Sequence, residues 1–354
     1  MSATIATSQQ LARAAAKRPG LVETSARRWF WLAVVVLVLL ATTLASLMVG
    51  SRDLGIGTVL DALFAYEDSD EHVIVMALRL PRTILGLGVG LALGTAGALI
   101  QALTRNPLAD PGLLGVNAGA YFAVVVGVGA FGLSGISGYI WFSFAGAIVT
   151  TVLVYVVGSA GRGGGTPVRL TLAGVAIGAV LSGISAGITL LDPGTFDRLR
   201  HWAAGSLVGQ SHGTILVTFP FIGAGLLLAF VVARPLNAVA LGDDLARSVG
   251  VSVARTRLVV IVATTLLAGA ATAAAGPIGF VGLMVPHLAR WIAGTDQRWI
   301  FAYTAVLAPI LLLAADIVGR LVLRPGELQV GIVTAFIGAP VLIALARRRR
   351  VSGL

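Results

Sequence analysis

Residues 83–104 read TILGLGVGLALGTAGALIQALT, a run of 22 positions with no charged side chain and no apolar–polar alternation. A helix needs about 20 consecutive apolar residues to cross a bilayer. Lipid offers backbone N–H and C=O groups no partner, so only helices and closed barrels span it. Barrel strands alternate between a lipid face and a lumen face; this run does not, and it reads as a helix. Gly86, Gly90 and Gly94 recur within it at four-residue spacing. Such a small-residue stripe lets helix backbones approach closely where lipid removes the hydrophobic drive between helices.

Runs of the same kind occupy 29–50, 113–133, 139–158, 168–191, 214–233, 258–275, 278–294, 299–319 and 330–346. Together they predict an all-α polytopic membrane protein of about ten transmembrane helices. The composition agrees. Soluble domains carry roughly 25% charged residues, whereas this chain of 354 residues carries 11%, with 57% hydrophobic residues and a mean hydropathy of +0.95.

Basic residues set the expected orientation. Arg13, Lys17, Arg18, Arg27 and Arg28 precede the first run, and Arg347 to Arg350 follow the last. The first run reaches about Gly50, longer than a signal-peptide core and without a small-residue cleavage site, so it is expected to be retained. Residues 1–28 then form a cytoplasmic tail, 29–346 the transmembrane domain and 347–354 a basic cytoplasmic tail. Arg255 and Arg257 before 258–294, with Arg290 and Arg298 closing it, imply two crossings with an external turn at Gly276-Pro277. Cytoplasmic segments of this topology hold 18 of the 25 Lys and Arg and 5 of the 15 acids, the asymmetry of the positive-inside rule. The net charge of +10 therefore reports orientation and not a nucleic-acid partner.

An internal repeat accompanies this pattern. Pro107-Leu108 with Gly112-Leu113-Leu114 recurs as Pro277-Ile278 with Gly282-Leu283-Met284, offset by 170 residues. The first copy is expected to face the cytoplasm and the second the outside, an inverted repeat of the kind found in transporters.

Several chemistries are excluded or disfavoured. The chain has no cysteine, so disulfides and thiolates are absent. A P-loop needs a lysine, and the only one is Lys17; any ATP must be hydrolysed by another chain. An ion-coupled transporter carries carboxylates or histidines inside its spans, and only Asp316 lies in one, near its outer end. Gly132-Leu133-Ser134-Gly135 and Gly135-Ile136-Ser137-Gly138 match the short pattern of an intramembrane serine protease. Their only candidate base in a later span, His287, lies near the opposite side, which leaves the serines unactivated. His72, His201 and His212 fall on the expected external side, where haem ligation competes with a plain loop role. No catalytic residue and no metal site is expected.

Larger motifs remain. Leu78-Arg79-Leu80-Pro81-Arg82 leads into the glycine-rich run, which ends in Arg105-Asn106-Pro107-Leu108-Ala109-Asp110-Pro111-Gly112-Leu113-Leu114-Gly115. Downstream come Gly276-Pro277-Ile278-Gly279-Phe280-Val281-Gly282-Leu283-Met284-Val285-Pro286-His287, then Ala315-Asp316-Ile317-Val318-Gly319-Arg320, Glu327-Leu328 and Gly331-Ile332-Val333-Thr334. From about residue 30 onward the chain resembles the FecCD/vitamin B12-type permease family of iron–siderophore, haem and cobalamin importers.

That resemblance implies a multi-pass permease of the bacterial cytoplasmic membrane with ten spans. It implies three kinds of partner besides lipid: a second permease subunit, identical or related, two ATP-binding-cassette ATPase subunits, and an extracytoplasmic binding protein. This chain would hold no cofactor, ATP and Mg residing on the ATPase. Arg79, Arg82 and Arg320 match arginines that meet glutamates of the binding protein, a role that suits the bidentate guanidinium fork. The loop at about 234–257, with Leu241, Gly242, Asp243, Asp244, Ala246, Arg247 and Gly250, matches the segment that couples to the ATPase; Val249 replaces the usual leucine. Asn106, Pro107, Leu108, Thr166, Pro167 and Val168 match the cytoplasmic gate. Pro167 and Val168 depart from the polar residues of the cobalamin-type member. The family's commonest cargo makes an iron–siderophore complex the expectation, with haem or cobalamin as alternatives.

Overall fold

The computed structural model describes residues 24–50, 52–133, 136–160, 166–209, 212–324 and 326–347, and among these there is no strand. Ser134, most of the N-terminal tail and Arg348 to Leu354 lie outside the described residues. Helix α1 spans Ser25–Met48 and α2 Ile56–Phe64. Helix α3 runs unbroken over Asp70–Thr104, π-helical at Ile74–Arg79 and α-helical from Leu80. A short 3₁₀ turn, Pro111–Leu114, precedes α4 (Val116–Phe131), α5 (Ile136–Ser159), α6 (Pro167–Leu191) and α7 (Pro193–Ala203). Then come α8 (His212–Ala240), α9 (Asp243–Ser248), α10 (Val253–Ala275), α11 (Val281–Ala293), α12 (Gln297–Val322) and α13 (Val330–Arg347).

Helix starts follow local chemistry. Thr24, Thr166 and Ser252 each accept the backbone N–H three residues on, at the starts of α1, α6 and α10. Asp296 accepts the N–H of Arg298 at the start of α12. These caps satisfy donors that a helix start leaves open.

Helices α3 and α10 are the inner ones, buried along most of their length, while α1 and α6 are peripheral. The glycine stripe of α3 faces α12. A Cβ at Gly90 would lie 2.7 Å from Pro309 Cα, and one at Gly94 2.5 Å from Ala308 Cβ. Glycine therefore sets the separation between α3 and α12.

All ten predicted apolar runs are helical, but they differ in reach. Among the described residues seven helices are long and apolar enough to cross a membrane: α1, α3, α5, α6, α8, α10 and α12. Helices α4 and α13 are shorter. The run 278–294 is the clearest departure, because α11 holds 13 residues, about 20 Å at 1.5 Å per residue, against a hydrocarbon core of ~30 Å. Ten full crossings are therefore not established by helix length.

Contacts sort the helix ends into two sets. Tyr303 Oη donates to Arg28 O at 2.7 Å, Arg105 Nε to Val239 O at 2.9 Å, and Asn237 Nδ2 to Asp296 at 3.0 Å. The starts of α1 and α12 and the ends of α3 and α8 thus share one end of the bundle. The other end gathers Ser46, Arg79, Arg82, Asp316 and Arg320.

The two copies of the repeat meet in space. Each loop follows a long helix, α3 or α10, and leads into a short one, α4 or α11. A Cβ on Gly97 would lie 1.9 Å from Gly282 O, so α3 and the first turn of α11, where the second copy ends, touch backbone to backbone. Gln101, fully buried, joins both copies: its Nε2 lies 3.3 Å from Ala109 O, 3.2 Å from Gly282 O and 3.1 Å from Leu283 O. Its Oε1 accepts from Arg290 Nη2 at 2.9 Å. Gln101 carried no signal in the sequence, lying alone inside an apolar run.

Candidate functional site

At the end of the bundle where α1 stops, its last carbonyls have no intrahelical partner. Two arginines from elsewhere supply the donors. Arg79 Nη1 donates to Leu47 O (2.8 Å) and Met48 O (2.6 Å), and its Nη2 donates to Arg52 O. Arg320 Nη1 donates to Ser46 O (2.8 Å) and Val49 O (2.6 Å). Both cations also sit at the negative end of the α1 dipole. Gly50 is small because a Cβ there would lie 2.6 Å from Arg79 Nη2.

Asp316 organises the cations. It accepts from Arg320 Nη2 (2.7 Å), one turn along α12, and from Arg82 through Nη2 (2.7 Å) and Nε (3.0 Å). Arg82 Nη1 reaches Glu327 at 2.6 Å, in the stretch between α12 and α13. Ser46 Oγ accepts from Arg320 Nη2 at 2.8 Å and lies 2.9 Å from Thr83 Oγ1.

The three arginines expected to face a partner are thus brought together, but they are not free surface cations. Arg79 is 6% exposed and Arg320 2%, each holding α1 in place. The side chain of Arg82 is 11% exposed and that of Glu327 31%. Both line a cavity of about 610 Å³ whose wall also includes Arg52, Arg79, His212 and Arg320. Arg52 and Arg324, which sequence reasoning passed over, are the more exposed cations at this end, paired with Glu71 (2.7 Å) and Asp53 (2.8 Å). The Arg324 guanidinium holds the Asp53 carboxyl below the ordinary carboxylate range. Asp316, the sole carboxylate of the predicted spans, is clasped by two guanidiniums and 1% exposed, unlike a proton relay open to water.

At the opposite end, Asp243 accepts from Arg105 Nη2 and from Arg257 Nη2 (2.6 Å), tying α9 to α3 and α10. Gly242 (φ 124°) and Gly250 (φ 82°) adopt backbone conformations that favour glycine. Ala246 belongs to the segment expected to couple to the ATPase. It is fully buried against Val239 and Val253, where only a small side chain lets α9 pack down. The exposed apolar positions are Leu241, Leu245 and Val249, four residues apart, flanked by exposed Asp244 and Arg247.

The expected gate residues have local roles. Asn106 Oδ1 accepts the N–H of Leu108 at 3.0 Å, Pro107 is buried, and Thr166 caps α6. Val168 is exposed, and Pro167 opens α6. No hydrogen bond joins the two stretches among the described residues.

The histidines do not converge. His72 Nδ1 accepts the Glu67 N–H at 3.0 Å, His201 Nδ1 lies 3.0 Å from Gln329 Nε2, and His287 packs edge-on against Trp291. Among the described residues no three His, Asp or Glu side chains form a metal-binding group.

Known proteins share this architecture. The profile of the FecCD transport family matches residues 37–348. The ferric enterobactin transport system permease protein FepD of Escherichia coli is 51% identical over 320 residues, covering 90% of this chain and 95% of that protein. The hemin transport system permease protein HmuU of Yersinia pestis is 36% identical, covering 90% and 94%. A chain from a metal-chelate type ABC transporter, solved in an inward-facing conformation, superposes with a TM-score of 0.78 at 26% identity, covering 90% of this chain and 98% of the other.

Proposed function

The chain belongs to the FecCD transport family, and from that membership we propose that it is the membrane-spanning permease subunit of an ATP-driven importer of an iron–siderophore complex. The observation that carries the cargo is the 51% identity to a ferric enterobactin permease along 90% of the chain. Haem is the second reading, supported by the hemin permease at 36%, and cobalamin the third.

The two ends of the bundle divide the work. The arginine-lined cavity receives acidic side chains of an extracytoplasmic binding protein, with Arg82 the most accessible of the three expected arginines. The Leu241–Val249 face seats a cytoplasmic ATPase subunit, which carries ATP and Mg. A second permease completes the pathway, and Asn106, Pro107, Leu108, Thr166, Pro167 and Val168 border its cytoplasmic mouth. Both termini are cytoplasmic, and this chain binds no cofactor of its own.

The test is reconstitution in proteoliposomes with its ATPase and binding protein. ATP-dependent accumulation of a ferric siderophore is expected, and Leu245→Glu should abolish it by removing the ATPase while leaving the permease inserted. Accumulation of haem or cobalamin with no ferric siderophore uptake would overturn the cargo.

A further inference from the structure

Arg82 is held between two carboxylates of opposite character. Asp316 grips it from the protein side with two contacts at 2.7 and 3.0 Å and is 2% exposed. Glu327 meets its Nη1 at 2.6 Å and is 31% exposed, at the wall of the cavity. The Nε–Nη2 edge is fully used by Asp316, so Nη1 is the position through which Arg82 meets a group in the cavity. Glu327 already occupies it.

The charges around the cavity are lopsided. Its wall carries Arg52, Arg79, Arg82 and Arg320 against Glu327 alone. Glu71 and Asp316, behind the wall, offset part of this charge, and the cationic excess that remains attracts an acidic side chain entering from outside, which must then share or take Nη1. Glu327 is placed to yield. The neighbouring Leu328 N–H is bonded to Gly319 O at 3.0 Å, so the backbone stays anchored while the side chain turns out to water. The Glu327 carboxylate, 31% exposed, can regain water as it leaves Arg82, so its exchange costs less than breaking the buried Asp316 pair.

We propose that Glu327 is an internal placeholder, occupying on Arg82 the position that a carboxylate of the docking protein takes, so that docking is an exchange of one carboxylate for another. This rests on the reading of the cavity as the docking place of a binding protein. The placeholder keeps Arg82 Nη1 paired when the permease is alone, lowers the net gain on docking and so favours release after each cycle. It also gives an inverted expectation: removing a native ion-pair partner strengthens association.

The experiment measures the dissociation constant of the loaded binding protein on the intact transporter in lipid nanodiscs, at low and physiological salt. Glu327→Gln should tighten binding by roughly threefold or more, the scale of a partly exposed ion pair, through slower dissociation. Asp53→Asn removes an acid at the same end that pairs with Arg324 and not with Arg82, and should change affinity by less than half as much. Arg82→Gln should weaken binding. Glu327→Asp, which keeps the charge and shortens the reach, should give an intermediate affinity, and it guards against a Gln variant that folds poorly. Unchanged or weaker binding for both Glu327 variants while Arg82→Gln still weakens it would overturn the placeholder alone. An equal gain from Asp53→Asn would also overturn it, since net charge would then suffice. If Arg82→Gln leaves affinity untouched, the docking place itself is wrong and the placeholder falls with it.

Discussion

Replacing Asp316 by Asn isolates what the arginine cluster does for the fold. The carboxylate faces two guanidiniums at 2.7 Å, and its side chain is as buried as that of Arg320, both 2% exposed. Breaking a buried ion pair by removing one partner costs about 3–5 kcal/mol, because a buried charge is left uncompensated. Arg82 retains Glu327 and some water, Arg320 retains carbonyls of α1, and Asn can still accept one hydrogen bond, so the lower end of that range applies. A loss of about 3 kcal/mol is expected, roughly a 150-fold shift in the folding equilibrium. The assay is unfolding by increasing SDS fraction in mixed micelles, followed through the six tryptophans. Asp244→Asn is the internal control, since Asp244 is fully exposed and pairs only with Arg247; its change should stay within about 0.5 kcal/mol. If Asp316→Asn costs less than about 1 kcal/mol, or no more than Asp244→Asn, the cluster does not hold α1 as described.

Gly97→Ala would place a methyl 1.9 Å from Gly282 O, forcing α3 and the first turn of α11 apart. A loss of about 3 kcal/mol in the same titration is expected, the upper end for overpacking. Gly187→Ala, inside α6 and meeting nothing within 4 Å, should not lower the midpoint, since alanine favours the helix over glycine. Orientation can be read with single cysteines in this cysteine-free chain. An impermeant maleimide added outside should label Asp68→Cys and spare Asp244→Cys, both exposed; the reverse pattern would invert the topology.

The candidate site was legible in part. That Arg79, Arg82 and Arg320 lie at the ends of their spans was legible, because distance from a span end is a local property of Leu78–Arg82 and Ala315–Arg320. Their burial was not legible. Arg320 is positioned by Ser46 and Val49, more than 270 residues away in sequence, and no local pattern announces such a partner. The burial of Ala246 was not legible for a similar reason: its neighbours, Val239 and Val253, lie in the flanking helices.

What the sequence determined by itself was the solvent. Transfer free energy sums residue by residue along the chain, so apolar runs without charge required helices in lipid, and the basic residues between them implied a direction of insertion. Depth was another matter. Residues 278–294 are apolar enough to count as a span, yet α11 is a 13-residue helix beginning where Gly282 packs on Gly97. Only the tertiary structure decided where that helix starts, which arginines face inward, and that Gln101 holds both copies of the repeat. Each depends on backbone groups brought within 3.5 Å by packing between distant segments, and hydropathy contains no term for that.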